Sequence, residues 1–370
     1  MMSFKISKDI VSDEWNKNLK KSEYSNFFQT AEYLYSHSDS KKKFPIFINI
    51  YDELGNVVGQ LGIIIQKSPF IYSAKFLNPL LKIASLLGSR GTWTSGPIVH
   101  SKDKKMKMEI LRTMIDALEK VSEENNLLII DGYTSPQDRD INIEQFKNKN
   151  FAKIDYITYV LNLNKNEEEI WGGFSQSAKR DIIKAQKNKI HVKELEEKDL
   201  DDFFNLSEIW AKTKGVDKSS NENMKKKYWD YYTKNIEKVF LAFEDGILTS
   251  SHRLGCFNGI VYSHSIVNSY LKRDSVSGSL LIWHAIQWAK KIGMRSYDFS
   301  GGKSPKNSLM DNIYEKQWNS LMAYKRKWGG EEIPYFHLSL IRKKRLYKII
   351  RGFLKIDWIF REIKKNNYKR

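Results

Sequence analysis

The sequence predicts an α+β fold in which one arrangement of strands and helices is used twice. A long amphipathic segment leading into a short apolar strand occurs at residues 104–133 and again at 279–299. Each is preceded by strand-like runs, at 44–66 and at 239–269, with turn residues between them. The 370-residue length points the same way, because it exceeds what a single core usually supports. A hydrophobic fraction of 41% with 13% aromatics is enough to pack two cores.

The first pass opens with a helical segment over 27–37. Strands follow at 44–51 and 57–66, then a loop region holding Trp93 and Gly96-Pro97. A helix is expected over 104–125, since Met108, Leu111, Ile115, Leu118 and Val121 recur at helical spacing. A strand at 127–133 and a helix at 143–148 close the pass. The second pass begins with a strand at 157–163 and helices at 166–174, 178–188, 200–214 and 221–235. An antiparallel meander is expected at 239–244, 248–257 and 260–269, with turns at Asp245-Gly246 and Asn258-Gly259. A helix over 279–292 and a strand at 296–299 repeat the earlier step. The implied domains are 1–155 and 156–340, with a basic amphipathic helix at 341–370.

Charge narrows the partners. The chain carries +18, and residues 342–370 hold twelve Lys and Arg against Asp357 and Glu362. Such a surplus implies nucleic acid, phosphorylated substrates or an acidic membrane face, or a basic surface that is simply solvated. The single cysteine, Cys256, excludes an internal disulfide and reads as a small buried hydrophobe in a reduced, cytoplasmic setting. No apolar run approaches the ~20 residues that span a bilayer, so membrane contact would be peripheral, through residues 342–370.

No phosphate loop, HExxH, CxxC or G-x-S-x-G signature occurs, and the seven histidines do not pair at ligand spacing. His252 and His264 fit packing or one hydrogen bond each, so no metal is expected. Chemistry concentrates instead between Gly278 and Gly330. A strand there ends at Asp298 and runs into Gly301-Gly302, and a second strand-like run carries Lys325, Arg326 and Lys327. Glycines past a strand let a ligand approach the backbone, and the lysines supply charge for an anion. Strand alternation would put Lys325 and Lys327 on one side and Arg326 on the other. Asp298 fits a group that binds an attacking amine or takes its proton, or a turn-forming Asp. Tyr297, Tyr314 and Tyr324 fit substrate contact or buried strand aromatics. Upstream, a helix over 178–188 presents Lys179, Arg180, Lys184 and Lys187 three to four residues apart, a surface for phosphate or a solvated face.

Four stretches, taken in order, resemble the Fem-type aminoacyltransferases. They are Asn26-Phe-Phe-Gln-Thr-Ala-Glu32, then GTWTSGPIV at 91–99, then WGGFSQSAKRDIIKA at 171–185. The last comprises Tyr297-Asp-Phe-Ser-Gly-Gly302 with Tyr324-Lys-Arg-Lys-Trp-Gly-Gly330. The resemblance implies two tandem GNAT-like (acyl-CoA N-acyltransferase-like) domains. It implies transfer of an amino acid from aminoacyl-tRNA to an amine of a lipid- or nucleotide-linked peptidoglycan-type precursor, with no bound cofactor. It matches Lys325 to a lysine that stabilises the tetrahedral intermediate, and Arg180 and Lys184 to substrate contacts. From the residues themselves, Tyr314, Gly301 and Gly302 join them as candidate substrate contacts, and Lys327 fits solvent or tRNA contact. Two departures stand out. The stretch Arg273-Asp-Ser-Val-Ser-Gly278 holds one glycine where CoA users of this fold carry more, so a CoA grip is not expected. The helices between 200 and 235 are too short for the coiled-coil arm of the longer Fem proteins. The alternatives are an acyl-CoA-dependent GNAT acting on an amino sugar or polysaccharide, and a non-catalytic module that binds nucleic acid or membrane.

Overall fold

In the computed structural model the described residues are 2–38, 42–67, 88–213, 220, 222–234, 237–269, 275–303, 312–350 and 352; at 303 and 312–318 only the backbone is described. The chain divides into two compact units, residues 1–154 with 335–370, and residues 155–334.

The first unit opens with strand β1 (Ser3–Ser7), helix α1 (Ser12–Leu19), a 3₁₀ turn at Phe27–Gln29 and helix α2 (Ala31–Ser36). Asn26 and Thr30 side chains accept the Phe28 and Tyr33 amides, which explains why the segment expected as one helix breaks in two. Strands β2 (Lys43–Tyr51), β3 (Val57–Lys67), β4 (Ser89–Trp93) and the short β5 (Ile98–Val99) follow. Trp93, expected in a loop, therefore ends a strand. Helix α3 (Lys104–Glu124) is capped by Asp103 and leads to β6 (Leu127–Tyr133), and α4 (Glu144–Asn148) closes the run. β4 and β6 are parallel, as a strand–helix–strand crossover requires. Leu111, Ile115, Leu118 and Val121 of α3 pack on Ile46, Ile48, Ile50 and Ile63, as their spacing predicts. Met108 departs from that stripe and is exposed; its neighbour Lys107 is buried instead, with Nζ 2.7 Å from Asp138 Oδ1.

The second unit holds β7 (Ala152–Asn162), α5 (Glu167–Gly172), α6 (Gln176–Lys187), β8 (His191–Glu194), α7 (Leu200–Thr213) and α8 (Glu222–Tyr232). The meander β9 (Glu237–Glu244), β10 (Ile247–Phe257) and β11 (Ile260–Asn268) forms as expected, with Gly246 and Gly259 at positive φ in its turns. Helix α9 (Ser277–Lys291) then returns the chain to β12 (Ser296–Asp298), parallel to β11. This repeats the β4–α3–β6 step. The sheet order is β7-β12-β11-β10-β9-β8, and β13 (Gly302–Lys303) pairs with β7. Both faces of the sheet are covered. Phe240 and Ala242 pack with α6 and α9, while Val239 and Leu241 pack with α7 and α8.

Two expectations fail downstream. Residues 312–326, read as strand-like from Ile313 onward, form helix α10 (Asn312–Arg326). Their apolar residues fall at both strand and helix intervals, and Gly329-Gly330 mark a helix end rather than a strand end. The sequence extends the second domain to 340. Strand β14 (Glu331–Ile341) instead places His337–Ile341 antiparallel to β6 of the first unit, at Tyr133 to Ile129. A short helix covers 344–350, and most of the basic segment expected at 341–370 lies outside the described residues.

Candidate functional site

β11 and β12 run together only from Ile260–Tyr262 opposite Ser296–Asp298. Beyond that point β11 continues to Asn268 without β12 beside it. Asp298 therefore stands where the two strands part, and the candidate site is built around it.

Asp298 is buried. Its Oδ1 accepts the Thr158 hydroxyl of β7 at 2.6 Å and the Ser300 amide at 2.8 Å. Burial pushes the carboxyl up to about 6, against those two hydrogen bonds and the charge of Lys325. Lys325, in the last turn of α10, donates from Nζ to the carbonyls of Ser300 at 2.8 Å and Gly301 at 3.2 Å. Burial pushes this ammonium down to about 8, and the Asp298 carboxylate acts in the opposite sense. Burial thus raises a carboxyl and lowers an ammonium that interact near the strand fork, both held by Ser300.

The structure places Asp298, Gly301 and Lys325 near one another, and the residue of this loop with an unusual backbone is neither glycine. Neither Gly301 nor Gly302 lies at positive φ; Ser300 does, at 58°. That conformation aims its amide at Asp298 and its carbonyl at Lys325, while its hydroxyl donates to the Ser263 carbonyl at 2.7 Å. Gly302 serves β13, paired with Ile157. Ser300 and Thr158 were both missed. An αL serine leaves no compositional mark, and Thr158 reaches Asp298 only across 140 residues of chain.

Lys327 does not share a strand face with Lys325. It lies past the helix end, 3.2 Å from Asp181 Oδ2 and 3.5 Å from Ser279 Oγ, with its ammonium over the rings of Tyr324 and Trp328. It is thus already neutralised by Asp181 of α6. Arg326 donates to the Tyr159 hydroxyl. The chain turns at Gly329, φ 72°, where a Cβ would meet the Gly173 carbonyl oxygen at 2.4 Å. Tyr297 is a fully buried strand residue, its hydroxyl 3.2 Å from His252 Nε2. The Tyr314 side chain lies outside the described residues.

On α6, Ala178, Ile182 and Ala185 face the core, which leaves Arg180, Lys184 and Lys187 exposed. None of the three has an ion-pair partner among the described residues. Ile183, 44% exposed, sits between Arg180 and Lys184 on the same strip. Arg180 and Lys184 are therefore not in the cluster with Asp298 and Lys325.

His252 is buried, with Nε2 3.0 Å from Ser263 Oγ, and burial pushes its imidazole down to about 3. Burial pushes the Cys256 thiol up to about 12, which removes it as a nucleophile. At the start of α9, Ser277 Oγ lies 2.6 Å from Ser250 Oγ, and Gly278 leaves room for Asn268 Oδ1. The rest of the loop expected to grip CoA poorly, residues 273 and 274, is outside the described residues. No group of three His, Cys, Asp or Glu side chains among the described residues is placed to hold a metal ion. No helix of the described residues is long and apolar enough to cross a membrane.

No protein-family model matches the chain, and no curated protein sequence matches it. Solved structures do. The structure of FemX aligns over 94% of this chain and 99% of its own, at TM-score 0.68 and 14% identity. L-PGS from Bacillus licheniformis aligns over 94% and 98%, at 0.57 and 10%. A tandem GNAT protein from the clavulanic acid biosynthesis pathway aligns over 92% and 98%, at 0.52 and 9%. These identities speak to fold alone, and on that count the chain has the Fem-type fold of two GNAT-like domains in tandem.

Proposed function

We propose that this protein is an aminoacyltransferase that moves an amino acid from aminoacyl-tRNA to an amine of a peptidoglycan-type envelope precursor. The observation that carries the reading is the buried Asp298 with the half-buried Lys325, both held by Ser300 at the fork of β11 and β12. Acyl transfer to an amine needs a base for the N–H proton and a donor for the developing oxyanion. With its carboxyl near 6, Asp298 is ionised at neutral pH and is basic enough to accept a proton. Lys325 spends two N–H groups on the carbonyls of Ser300 and Gly301 and keeps one for the substrate.

The amine nitrogen attacks the ester carbonyl, its proton passes to Asp298, and the tetrahedral oxygen is held by Lys325. Collapse breaks the ester C–O bond, and the ribose hydroxyl leaves with the proton returned from Asp298. Arg180, Lys184 and Lys187 support the choice of a nucleic-acid donor. They are exposed and free of ion pairs with described residues along ~10 Å of helix, a spacing suited to a phosphate backbone. Lys327 is given a positioning role through Asp181, and Gly301 and Gly302 shape the loop.

The test is transfer of a radiolabelled amino acid from charged tRNA to an amine-bearing precursor. Product should form with the protein and vanish after ribonuclease treatment. Equal transfer from acyl-CoA alone would overturn the tRNA-dependent reading in favour of an acyl-CoA-dependent GNAT enzyme.

A further inference from the structure

An ammonium that becomes an amide nitrogen loses two protons. The first must go before attack, since an alkyl amine of pKa about 10.4 is unprotonated in only roughly one part in 10³ at neutral pH. The second passes to Asp298 during attack and returns to the ribose oxygen. A carboxyl that must return its proton cannot also carry the first one away.

The register of β11 brings a second base to the same face. Glu237, Gly255, Tyr262 and Asp298 form one cross-strand row over β9, β10, β11 and β12, so their side chains share a face of the sheet. Two residues past Tyr262, β11 carries a bulge. Ser263 pairs with Leu254 and Ser265 with Arg253, which leaves His264 as the extra residue. The core residues show the shift. Val261 packs with α6 and α9, whereas Val267, an even number of residues on, packs with α7 and α8. His264 stays on the Asp298 face, just beyond the point where β12 leaves β11; strand spacing puts the two Cα atoms about 8 Å apart. The Ser300 hydroxyl, donating to the Ser263 carbonyl at 2.7 Å, ties the Asp298–Lys325 loop to this bulge.

The imidazole is held from behind. Glu237, its side chain closed to solvent, has Oε1 3.1 Å from His264 Nδ1. It also accepts two bonds from the Arg253 guanidinium, at 3.0 and 2.9 Å, and the Tyr228 hydroxyl at 2.9 Å. Burial works against its charge, yet Arg253 and His264 hold Glu237 at about 2, so it can only accept. Nδ1 therefore carries the hydrogen, and Nε2 is the nitrogen that can take a proton. A carboxylate that fixes the tautomer and orientation of an imidazole is how general bases are built. The His264 side chain is 22% exposed, which lets a proton pass on to water.

We infer that His264 is a second catalytic base of the proposed transferase centre, whose Nε2 takes one proton from an alkyl-ammonium acceptor and releases it to solvent, with Glu237 as its positioning residue. Ammonium and ester then give amide, ribose hydroxyl and one solvent proton. The inference rests on the transferase reading and narrows its acceptor to an amine that arrives protonated.

The test is transfer from charged tRNA to an amine-bearing precursor at pH 6.5 to 8.5, in the parent, His264→Gln and His264→Ala. His264→Gln keeps a donor toward Glu237, and circular dichroism checks that both variants fold. At pH 6.5 each should be at least tenfold slower than the parent. The deficit should shrink as pH rises, because a variant without the base draws only on amine already deprotonated. Added imidazole should restore part of the rate of His264→Ala. Of the other groups facing His264, Glu237 titrates below this range and Arg253, Tyr228 and Tyr262 above it, while Asp298 and Lys325 act alike in parent and variant. A parent that transfers, with variants equally fast or slower by the same factor at every pH, overturns the role of His264 alone. A parent that makes no product overturns the transferase reading and this inference with it.

Discussion

Lys325 and Asp298 are joined through the backbone of one residue. Ser300 donates its amide to Asp298 Oδ1 at 2.8 Å, and its carbonyl accepts from Lys325 Nζ at 2.8 Å. It does so in the left-handed region, at φ 58°, a conformation that costs a serine of order 1 kcal/mol or more. The cation and the carboxylate are thereby fixed relative to each other before any substrate arrives.

From this pair follows a bell-shaped pH dependence of kcat/KM. Activity needs Asp298 ionised and Lys325 protonated, so the limbs should fall near 6 and near 8. Asp298→Asn should lower the rate about 10²–10⁴-fold and abolish the acid limb. Stability should move the other way. Folding raises the Asp298 pKa from 3.8 to about 6, so its contribution is present below 3.8 and is lost as pH rises through about 6. Asp298→Asn should therefore raise the urea midpoint at pH 8 and leave it little changed at pH 3.5. An unchanged acid limb in this variant would remove Asp298 from the reaction.

Lys325→Ala should cut kcat by about 10²–10³ with little change in KM, because the missing donor acts on charge that develops only in the transition state. Lys325→Arg should recover part of the rate. A defect confined to KM would reassign Lys325 to ground-state binding.

Arg180→Ala with Lys184→Ala should raise KM for charged tRNA and leave kcat nearly untouched. Removing exposed cations that meet phosphates lowers the slope of log affinity against log salt by roughly 0.7–0.9 for each phosphate no longer neutralised. Filter binding across a salt series reads that slope. If it does not move, the helix face is merely solvated.

In the first unit, Lys107→Ala should destabilise by about 3–5 kcal/mol, since it strands the buried carboxylate of Asp138. The same substitution removes the ammonium that sits 4.8 Å from the Tyr24 ring centre and is attracted to the ring face. Chemical denaturation measures the change. Lys107→Met with Asp138→Leu should recover most of it, because replacing both partners leaves no uncompensated charge.

Glu237 should set the acid stability of the second unit. Burial raises its pKa, but the Arg253 guanidinium, doubly bonded to it at 3.0 and 2.9 Å, and the His264 ring outweigh that and hold it at about 2. A folded-state pKa lowered from 4.5 contributes stability that is full above 4.5 and lost as pH falls through about 2, in all about 3 kcal/mol. Glu237→Gln should be much less stable than the parent at pH 7 and nearly equal to it at pH 2. Parallel acid-unfolding curves would show that Glu237 does not govern this transition.

Local patterning carried the fold a long way. Helix α3, strand β6, the β9–β11 meander and the repeated helix–strand step were all legible, because side-chain periods of 3.6 and 2 report which face each segment buries. Periodicity misplaced Lys107 and Met108, where an ion pair with Asp138 outweighed the apolar stripe. It also misread α10, whose apolar residues fit both periods. The edge strands β1 and β8 were missed because short half-exposed strands alternate weakly. Asp298 and Lys325 were visible as residue types beside a glycine pair, and the amino acids alone determined that this stretch carries a carboxyl and a cation. Tertiary structure decided everything that makes them a pair. Thr158 comes from a strand 140 residues earlier, and β11 and β12 diverge where Asp298 stands. Burial then shifts both groups toward neutrality, and desolvation is set by the whole surround of a side chain rather than by its neighbours in sequence.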